Sequence, residues 1–336
     1  MRLEEFNYKL PKDLIAQEPL RQRDSSRLMV LDRKEKSIRE KTFCDIVEYF
    51  CPGDCLVLND TRVLPVRFLG KRKTGGKVEI FLLNPASEKL YALIRPSKRI
   101  KQDEEIELAD GIKVRVLEKA PIGRFVSFNR PLKEVFKEGH VPLPPYILRE
   151  DKKEDTRNYQ TVYACNDGAT AAPTAGFHFT KELIKRLSGK GVSIVYVTLH
   201  TGYGTFSPVV EQDIENHKMH SEWYEINKKA VEVINHTKNS GSRVFAVGTT
   251  SVRVLESAAR EKGELGESKG MTDLFIYPGY DFKIVDGIIT NFHLPKSTLL
   301  MIVSAFAGRE FVFRAYKRAI ELELRFFSYG DAMLIV

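Results

Sequence analysis

Val192-Ser-Ile-Val-Tyr-Val-Thr-Leu199-His200-Thr-Gly-Tyr-Gly-Thr205 decides the fold class. Its first eight residues are almost continuously apolar and rich in β-branched side chains, as a strand buried on both faces of a parallel sheet requires. The strand then runs directly into a glycine-bearing loop. A helix over 181–187, ended by Gly189 or Gly191, precedes it. A second cycle has a helix over 228–238, the strand Arg243-Val-Phe-Ala-Val247, and Gly248-Thr-Thr-Ser251 opening a helix over 252–262. A third has the strand Asp273-Leu-Phe-Ile276, the loop Thr290-Asn-Phe-His-Leu-Pro295, and helices over 297–307 and 311–322. Repeated strand–loop–helix units predict parallel strands with functional loops gathered at one end.

Upstream, Arg27-Leu-Met-Val-Leu31 and Cys55-Leu-Val-Leu-Asn59 read as strands with a helix over 42–50 between them. Residues 64–149 differ. Short runs such as Lys77-Val-Glu-Ile-Phe-Leu-Leu83 and Ile112-Lys-Val-Arg-Val-Leu117 alternate in period two, punctuated by Gly75-Gly76, Asp110-Gly111 and Ile122-Gly123. Asp-Gly between alternating runs is a hairpin signal, and the whole segment reads as a small all-β barrel. His140-Val-Pro-Leu-Pro-Pro-Tyr146 leads out of it as a stiff, extended connector. The expected layout is a discontinuous α/β domain, 1–63 and 150–336, with an inserted basic β-barrel domain at 64–149.

Of the chain's net charge of +8, the segment from Leu64 to Glu150 carries seven, with 18 Lys and Arg against 11 Asp and Glu. A concentrated basic region suits a phosphate backbone, which makes Lys71, Arg72, Lys73, Arg95, Lys98 and Arg99 candidates for nucleic-acid contact. The run Leu299–Ala307 is too short for a membrane span, and the N-terminus has no apolar signal segment. A cytoplasmic protein without a membrane partner is expected. Cys51 and Cys55 have three residues between them, with no further Cys or His pair at zinc spacing, and Cys51-x-x-x-Cys55 lacks a third cysteine at Leu58. No metal is expected.

Asp167-Gly-Ala-Thr-Ala-Ala-Pro-Thr-Ala-Gly-Phe-His-Phe-Thr180 offers little apolar area and interrupts regular structure with Gly168, Pro173 and Gly176. Small side chains let backbone groups approach a ligand. His178, which titrates near neutral pH, ends the run; His200 and His293 occupy comparable strand-end loops. Gly202-x-Gly204 is half a dinucleotide fingerprint, with Ser207 where a third glycine belongs, and is weak alone. Gly248-Thr-Thr-Ser251 puts hydroxyls and free N–H groups at a helix start, suited to an anion or simply to capping. Gly266-Glu-Ser-Lys-Gly270 matches a hydrolase nucleophile pattern but lacks the preceding apolar strand, and reads as a surface turn.

Taken together the motifs resemble the S-adenosylmethionine:tRNA ribosyltransferase-isomerases of queuosine biosynthesis. The blocks include Gly53-Asp-Cys-Leu-Val-Leu-Asn59-x-Thr61-Arg62-Val63, Pro142-Leu-Pro-Pro-Tyr146-Ile147, Ala171-Ala-Pro-Thr-Ala-Gly176-x-His178-Phe-Thr180 and Gly202-x-Gly-Thr-Phe206. Met219-His220-x-Glu222, Val247-Gly-Thr-Thr-Ser251, Thr290-Asn-Phe-His-Leu-Pro295-Lys-Ser297 and Arg325-Phe-Phe-Ser328-x-Gly330-Asp-Ala-Met333 follow in order. The resemblance spans the chain and no motif is missing. It implies a larger α/β barrel-like domain with the small barrel inserted. It also implies S-adenosylmethionine as ribosyl donor rather than cofactor, and as acceptor a tRNA anticodon arm carrying 7-aminomethyl-7-deazaguanine.

Under that resemblance a sulfonium acidifies the adjacent ribose carbon, and His178, His200 and His293 are the candidate bases. Asp60, Glu222 or Asp331 are placed to stabilise the positive sulfur, and Tyr203 or Phe206 to contact it through a ring face. Arg62 and Arg253 are candidates for phosphate or ribose oxygens. Thr174, Gly176, Gly202, Gly204, Thr249, Thr250, Ser251 and Asn291 complete the expected substrate site, in a protein expected to act as a monomer. Two other classes fit parts of the pattern. A non-catalytic RNA-binding module would use the basic segment alone, and a methyltransferase would release S-adenosylhomocysteine from the same donor.

Overall fold

A computed structural model of the chain describes residues 1–202, 204, 209–261 and 263–336. The continuous apolar runs become the centre of a nine-stranded mixed sheet. Its strands are β1 (Arg27–Asp32), β2 (Ser37–Thr42), β3 (Cys55–Asn59), β12 (Ser193–Leu199), β13 (Glu222–Ile226), β14 (Val244–Val247), β15 (Ser268–Thr272), β16 (Gly287–Asn291) and β17 (Ala332–Ile335). They lie in the order β15-β13-β12-β3-β14-β16-β17-β1-β2. The central four, β12, β3, β14 and β16, are mutually parallel.

Period-two alternation divides each central strand between two cores. Leu56, Leu58, Phe245, Val247 and Ile289 face one side, packing with Phe179, Leu183 and Leu187. Cys55, Val57, Val244, Ala246 and Ile288 face the other, against Val252, Leu255 and the apolar helix Thr298–Ala307. Both faces are covered, which is why these strands carry no polar alternation.

The edges depart from the sequence reading. The sheet is not wholly parallel: β13 pairs antiparallel with β12, β15 pairs antiparallel with β13, and β17 is antiparallel to β16. Residues 273–276, expected as a strand, have no regular structure; the strand lies just upstream at Ser268–Thr272. Ser268, read within a surface turn, therefore opens an edge strand. Thr290 and Asn291, expected in a loop, are the last residues of β16. Residues 43–49 form a 3-10 helix rather than an α-helix. The helix expected from 252 begins at Gly248 and ends at Ala258. Gly248 has φ +82°, a conformation glycine adopts without a Cβ penalty, so β14 turns into the helix with no linker.

The remaining strands are β4 (Thr61–Val63), β5 (Arg67–Arg72), β6 (Lys77–Leu82), β7 (Tyr91–Arg95), β8 (Glu105–Glu107), β9 (Lys113–Lys119), β10 (Arg124–Phe128) and β11 (Asn166–Ala169). Strands β5 to β10 close into a barrel, in the order β10-β7-β6-β5-β8-β9. Inward residues Phe68, Val78, Ile80, Leu82, Ile94, Ile106, Val114 and Val116 fill it. Strand β4 pairs parallel with β11 in a separate two-stranded piece.

Candidate functional site

Three parallel strands deliver their following residues to one place. Thr201 follows β12, Gly248, Thr249 and Thr250 follow β14, and Thr290 to Leu294 end and follow β16; all line one cleft. Ala172 to Ala175 come from the small-residue stretch, where Thr174–His178 forms a 3-10 turn. The cleft, with about 690 Å³ of space that is open to solvent, lies outside the carboxyl ends of the strands, where open α/β sheets bind ligands.

A hydrogen-bonded chain crosses its floor. Thr174 Oγ1 donates to Asn291 Oδ1 at 3.1 Å, and Asn291 Nδ2 donates to His178 Nε2 at 3.1 Å. With Asn291 Nδ2 as the donor, the proton of His178 is assigned to Nδ1, which lies 2.7 Å from Ser26 Oγ. His178 is 4% exposed and stacks on Phe43 at 4.9 Å. Burial, with Arg325 and Arg23 nearby, pushes its pKa down to about 3.

His293 is the one of the three histidines that lines this cleft. Its Nε2 meets Thr290 Oγ1 at 3.0 Å, its N–H donates to Tyr316 Oη at 2.9 Å, and its carbonyl accepts from Tyr8 Oη. Burial lowers its pKa to about 3. His200 stands apart, stacked on Trp223 at 4.9 Å with Nδ1 at 2.8 Å from Thr61 Oγ1. Its pKa is lowered by burial, against the opposing charge of Asp167. Two hydroxyls of the cleft residues, Thr201 Oγ1 and Thr250 Oγ1, are buried without a hydrogen-bond partner.

A smaller adjoining cleft shares Thr249, Thr250 and Leu299 and adds Gly204, Glu222 and Arg253. Glu222 and Arg253 form a buried ion pair, and Glu222 Oε1 accepts from the Gly202 N–H at 2.7 Å. Arg253 also donates to the carbonyls of Thr272 and Leu274 at 3.2 Å.

Other sequence candidates lie elsewhere. Ser251 Oγ donates to the Val247 carbonyl at 2.8 Å, closing its own helix. Gly176 is buried beneath Tyr163, where a Cβ would fall 2.1 Å from the phenol oxygen, so its smallness serves packing. Asp331 is buried and accepts the N–H groups of Arg27 at 2.9 Å and Arg325 at 2.8 Å. Burial raises its pKa. Asp60, also raised by burial, accepts from Thr198 at 2.7 Å and Asn166 at 3.1 Å. Arg62 is exposed and pairs with Asp167 at 3.4 Å. Tyr203 and Phe206 lie outside the described residues.

On the barrel, Arg72 grips Glu104 with bonds of 2.5 and 3.1 Å, and Lys73 pairs with Glu105 at 3.6 Å. Lys71, Arg95, Lys98 and Arg99 are exposed. Among the described residues no cluster of His, Cys, Asp or Glu could hold a metal ion, and no helix is long and apolar enough to cross a membrane.

Tyr146 and Ser328 are cleft residues that the sequence reading did not select. Tyr146 Oη meets Ser328 Oγ at 2.6 Å, and its ring packs on Phe327 at 4.8 Å. The Pro-rich connector thus supplies a wall of the cleft. The available signal was a tyrosine and a serine inside quoted motifs, with nothing local to indicate that residues 182 positions apart would meet.

A model of the family described as queuosine biosynthesis protein matches residues 3–335. The S-adenosylmethionine:tRNA ribosyltransferase-isomerase of Sulfurihydrogenibium sp. is 52% identical over 340 residues, covering 100% of both chains. The enzyme of the same description from Halothermothrix orenii is 51% identical over 343 residues, again covering 100% of both. The crystal structure of S-adenosylmethionine tRNA ribosyltransferase from Thermotoga maritima is 39% identical, with a TM-score of 0.58 over 99% of this chain and 100% of that one. The layout of larger α/β domain and inserted barrel follows the expectation. With its strand-end cleft and these full-length likenesses, the chain belongs to the queuosine biosynthesis protein family, as an enzyme of the S-adenosylmethionine:tRNA ribosyltransferase-isomerase type.

Proposed function

We propose that the chain transfers and isomerises the ribosyl moiety of S-adenosylmethionine onto 7-aminomethyl-7-deazaguanine at the tRNA wobble position. The products are epoxyqueuosine-tRNA, adenine and methionine. The observation that carries this reading is the strand-end cleft itself. Its Thr201 and Thr250 hydroxyls are buried without partners, beside Asn291 and His293. Buried polar groups cost free energy unless something bonds them, and a ribose or purine edge would.

Within this reading the chemistry divides among the histidines. His293 takes the proton from the ribose carbon next to the sulfonium, because its imidazole lines the cleft and burial keeps it unprotonated at neutral pH. An anionic group of the substrate entering the same cleft would raise its pKa and strengthen it as a base. His178 has both ring nitrogens engaged, so it acts as a positioning residue that fixes the amide of Asn291. Glu222, joined to Gly202 and Arg253, holds the adjoining loop and places negative charge near the sulfonium. The exposed barrel cations Lys71, Arg95, Lys98 and Arg99 add long-range attraction for tRNA.

The test is a product assay with S-adenosylmethionine and tRNA bearing 7-aminomethyl-7-deazaguanine. Adenine and methionine released together, with a matching mass gain on the tRNA, are expected. S-adenosylhomocysteine would instead mean methyl transfer, and binding without turnover a non-catalytic RNA module.

A further inference from the structure

A second, larger cleft opens on the far side of His178. Arg21, Arg23, Ser26, Arg157, His178 and Tyr329 are among its lining residues, and its space of about 1720 Å³, open to solvent, compares with about 690 Å³ for the strand-end cleft measured in the same way. Arg21 and Arg157 are exposed and Arg23 is half-buried. Arg23 donates only to backbone carbonyls: Gln160 at 2.8 Å, Arg157 at 3.1 Å and Phe177 at 3.4 Å. Its charge is opposed by that of Arg157.

Among the described residues none of these three arginines pairs with a carboxylate. The nearby acids are already engaged. Glu18 pairs with Arg149 at 2.8 Å and Lys152 at 2.6 Å, and Asp155 pairs with Arg149 at 2.6 Å. Asp24 accepts from Thr180 at 3.3 Å and Gln22 at 3.1 Å. Guanidinium groups of like charge gathered in a concavity whose described lining holds no carboxylate focus a positive potential. They present the planar forks that suit phosphate oxygens.

The cleft also adjoins the strand-end one. Ser328 lines both, and the chain Ser26–His178–Asn291 runs between them. We propose that this arginine cleft holds backbone phosphates of the RNA substrate, directly behind the cleft that receives the ribosyl donor. The proposal rests on the functional reading above and adds to it the place where the polynucleotide docks.

The experiment measures binding of a fluorescently labelled anticodon stem–loop RNA across a salt series. It compares the wild-type chain, the double variant Arg21→Ala/Arg157→Ala, and the charge reversal Arg21→Glu/Arg157→Glu. Both side chains are exposed, and circular dichroism confirms folding. Wild-type turnover and S-adenosylmethionine affinity are measured in parallel. For the alanine variant we expect at least tenfold weaker RNA binding at low salt. The slope of log affinity against log salt should shrink by about 1.4, at ~0.7 per single-strand phosphate contact. Charge reversal should weaken binding further, with S-adenosylmethionine affinity unchanged in both. RNA affinity and slope equal to wild type would overturn the proposal while leaving the reaction intact. So would weaker S-adenosylmethionine binding with RNA binding unchanged, which would give the cleft to the donor's carboxylate. A wild-type chain that neither binds the RNA nor turns over would overturn the functional reading itself.

Discussion

The barrel and the arginine cleft carry positive charge in opposite ways. The barrel segment holds nearly the whole formal surplus, yet much of it is spent on its own surface. Arg67 pairs with Glu79 and Asp151, Arg72 with Glu104, Lys73 with Glu105, Lys89 with Glu118, and Arg115 with Asp103. The cleft lies in the nearly neutral α/β domain, yet Arg21, Arg23 and Arg157 face one concavity without a carboxylate among them. Counting charges along the chain locates the first region and overlooks the second. What a polyanion senses is uncompensated charge and its focusing by shape, not the tally for a segment.

The largest effect should come from the catalytic cleft. His293→Ala is expected to lower turnover by roughly 10²–10⁴-fold, the range for a general base, while RNA affinity stays within about twofold. Loss of RNA binding together with turnover would merge the two clefts and break the comparison. Next, Asn291→Ala removes both the acceptor of Thr174 and the donor to His178 Nε2. It should cost about 1–3 kcal/mol of stability, because His178 is left buried with an unbonded nitrogen, and lower kcat more than it raises KM. A urea titration and steady-state kinetics check the two parts.

The buried histidines also predict acid sensitivity. His178 and His293 are held at about 3 when folded, against ~6.5 unfolded. Between those values the unfolded chain binds more protons, so stability falls as pH drops below about 6.5 and levels off near the folded values. From about pH 8 to about pH 5 each should cost roughly 2 kcal/mol, read as a lower urea midpoint. A flat profile would mean that the rings are wetter than this packing implies.

The smallest effects belong to the barrel. Neutralising Lys71, Arg72 and Lys73 together should reduce the salt slope of RNA binding by less than about one, since Arg72 and Lys73 already have partners. A larger drop than that of the arginine-cleft variants would reverse the comparison and move the main RNA contact to the barrel. Arg72→Ala alone should leave the urea midpoint close to wild type, as for other surface ion pairs.

Much was legible along the chain because it depends on local pattern. Buried central strands need apolar residues on both faces, so Cys55–Asn59, Ser193–Leu199 and Val244–Val247 declare themselves. A small barrel buries one face, so its strands alternate, and Asp110-Gly111 marks the turn between β8 and β9. Ordered motif blocks carried the family, and the loops after β12 and β14 and the end of β16 were expected to gather at one end of the sheet, where they line one cleft. Only the tertiary structure decided which side chains share that place. It put His293 in the cleft, turned His178 into a support for Asn291, and used Asp331 and Ser251 to tie backbone. It also brought Tyr146 to Ser328 and Arg23 to Arg157. The pairs His178–Asn291, Tyr146–Ser328 and Arg23–Arg157 lie more than a hundred positions apart, and a periodicity of two or 3.6 residues holds no information about partners at that range.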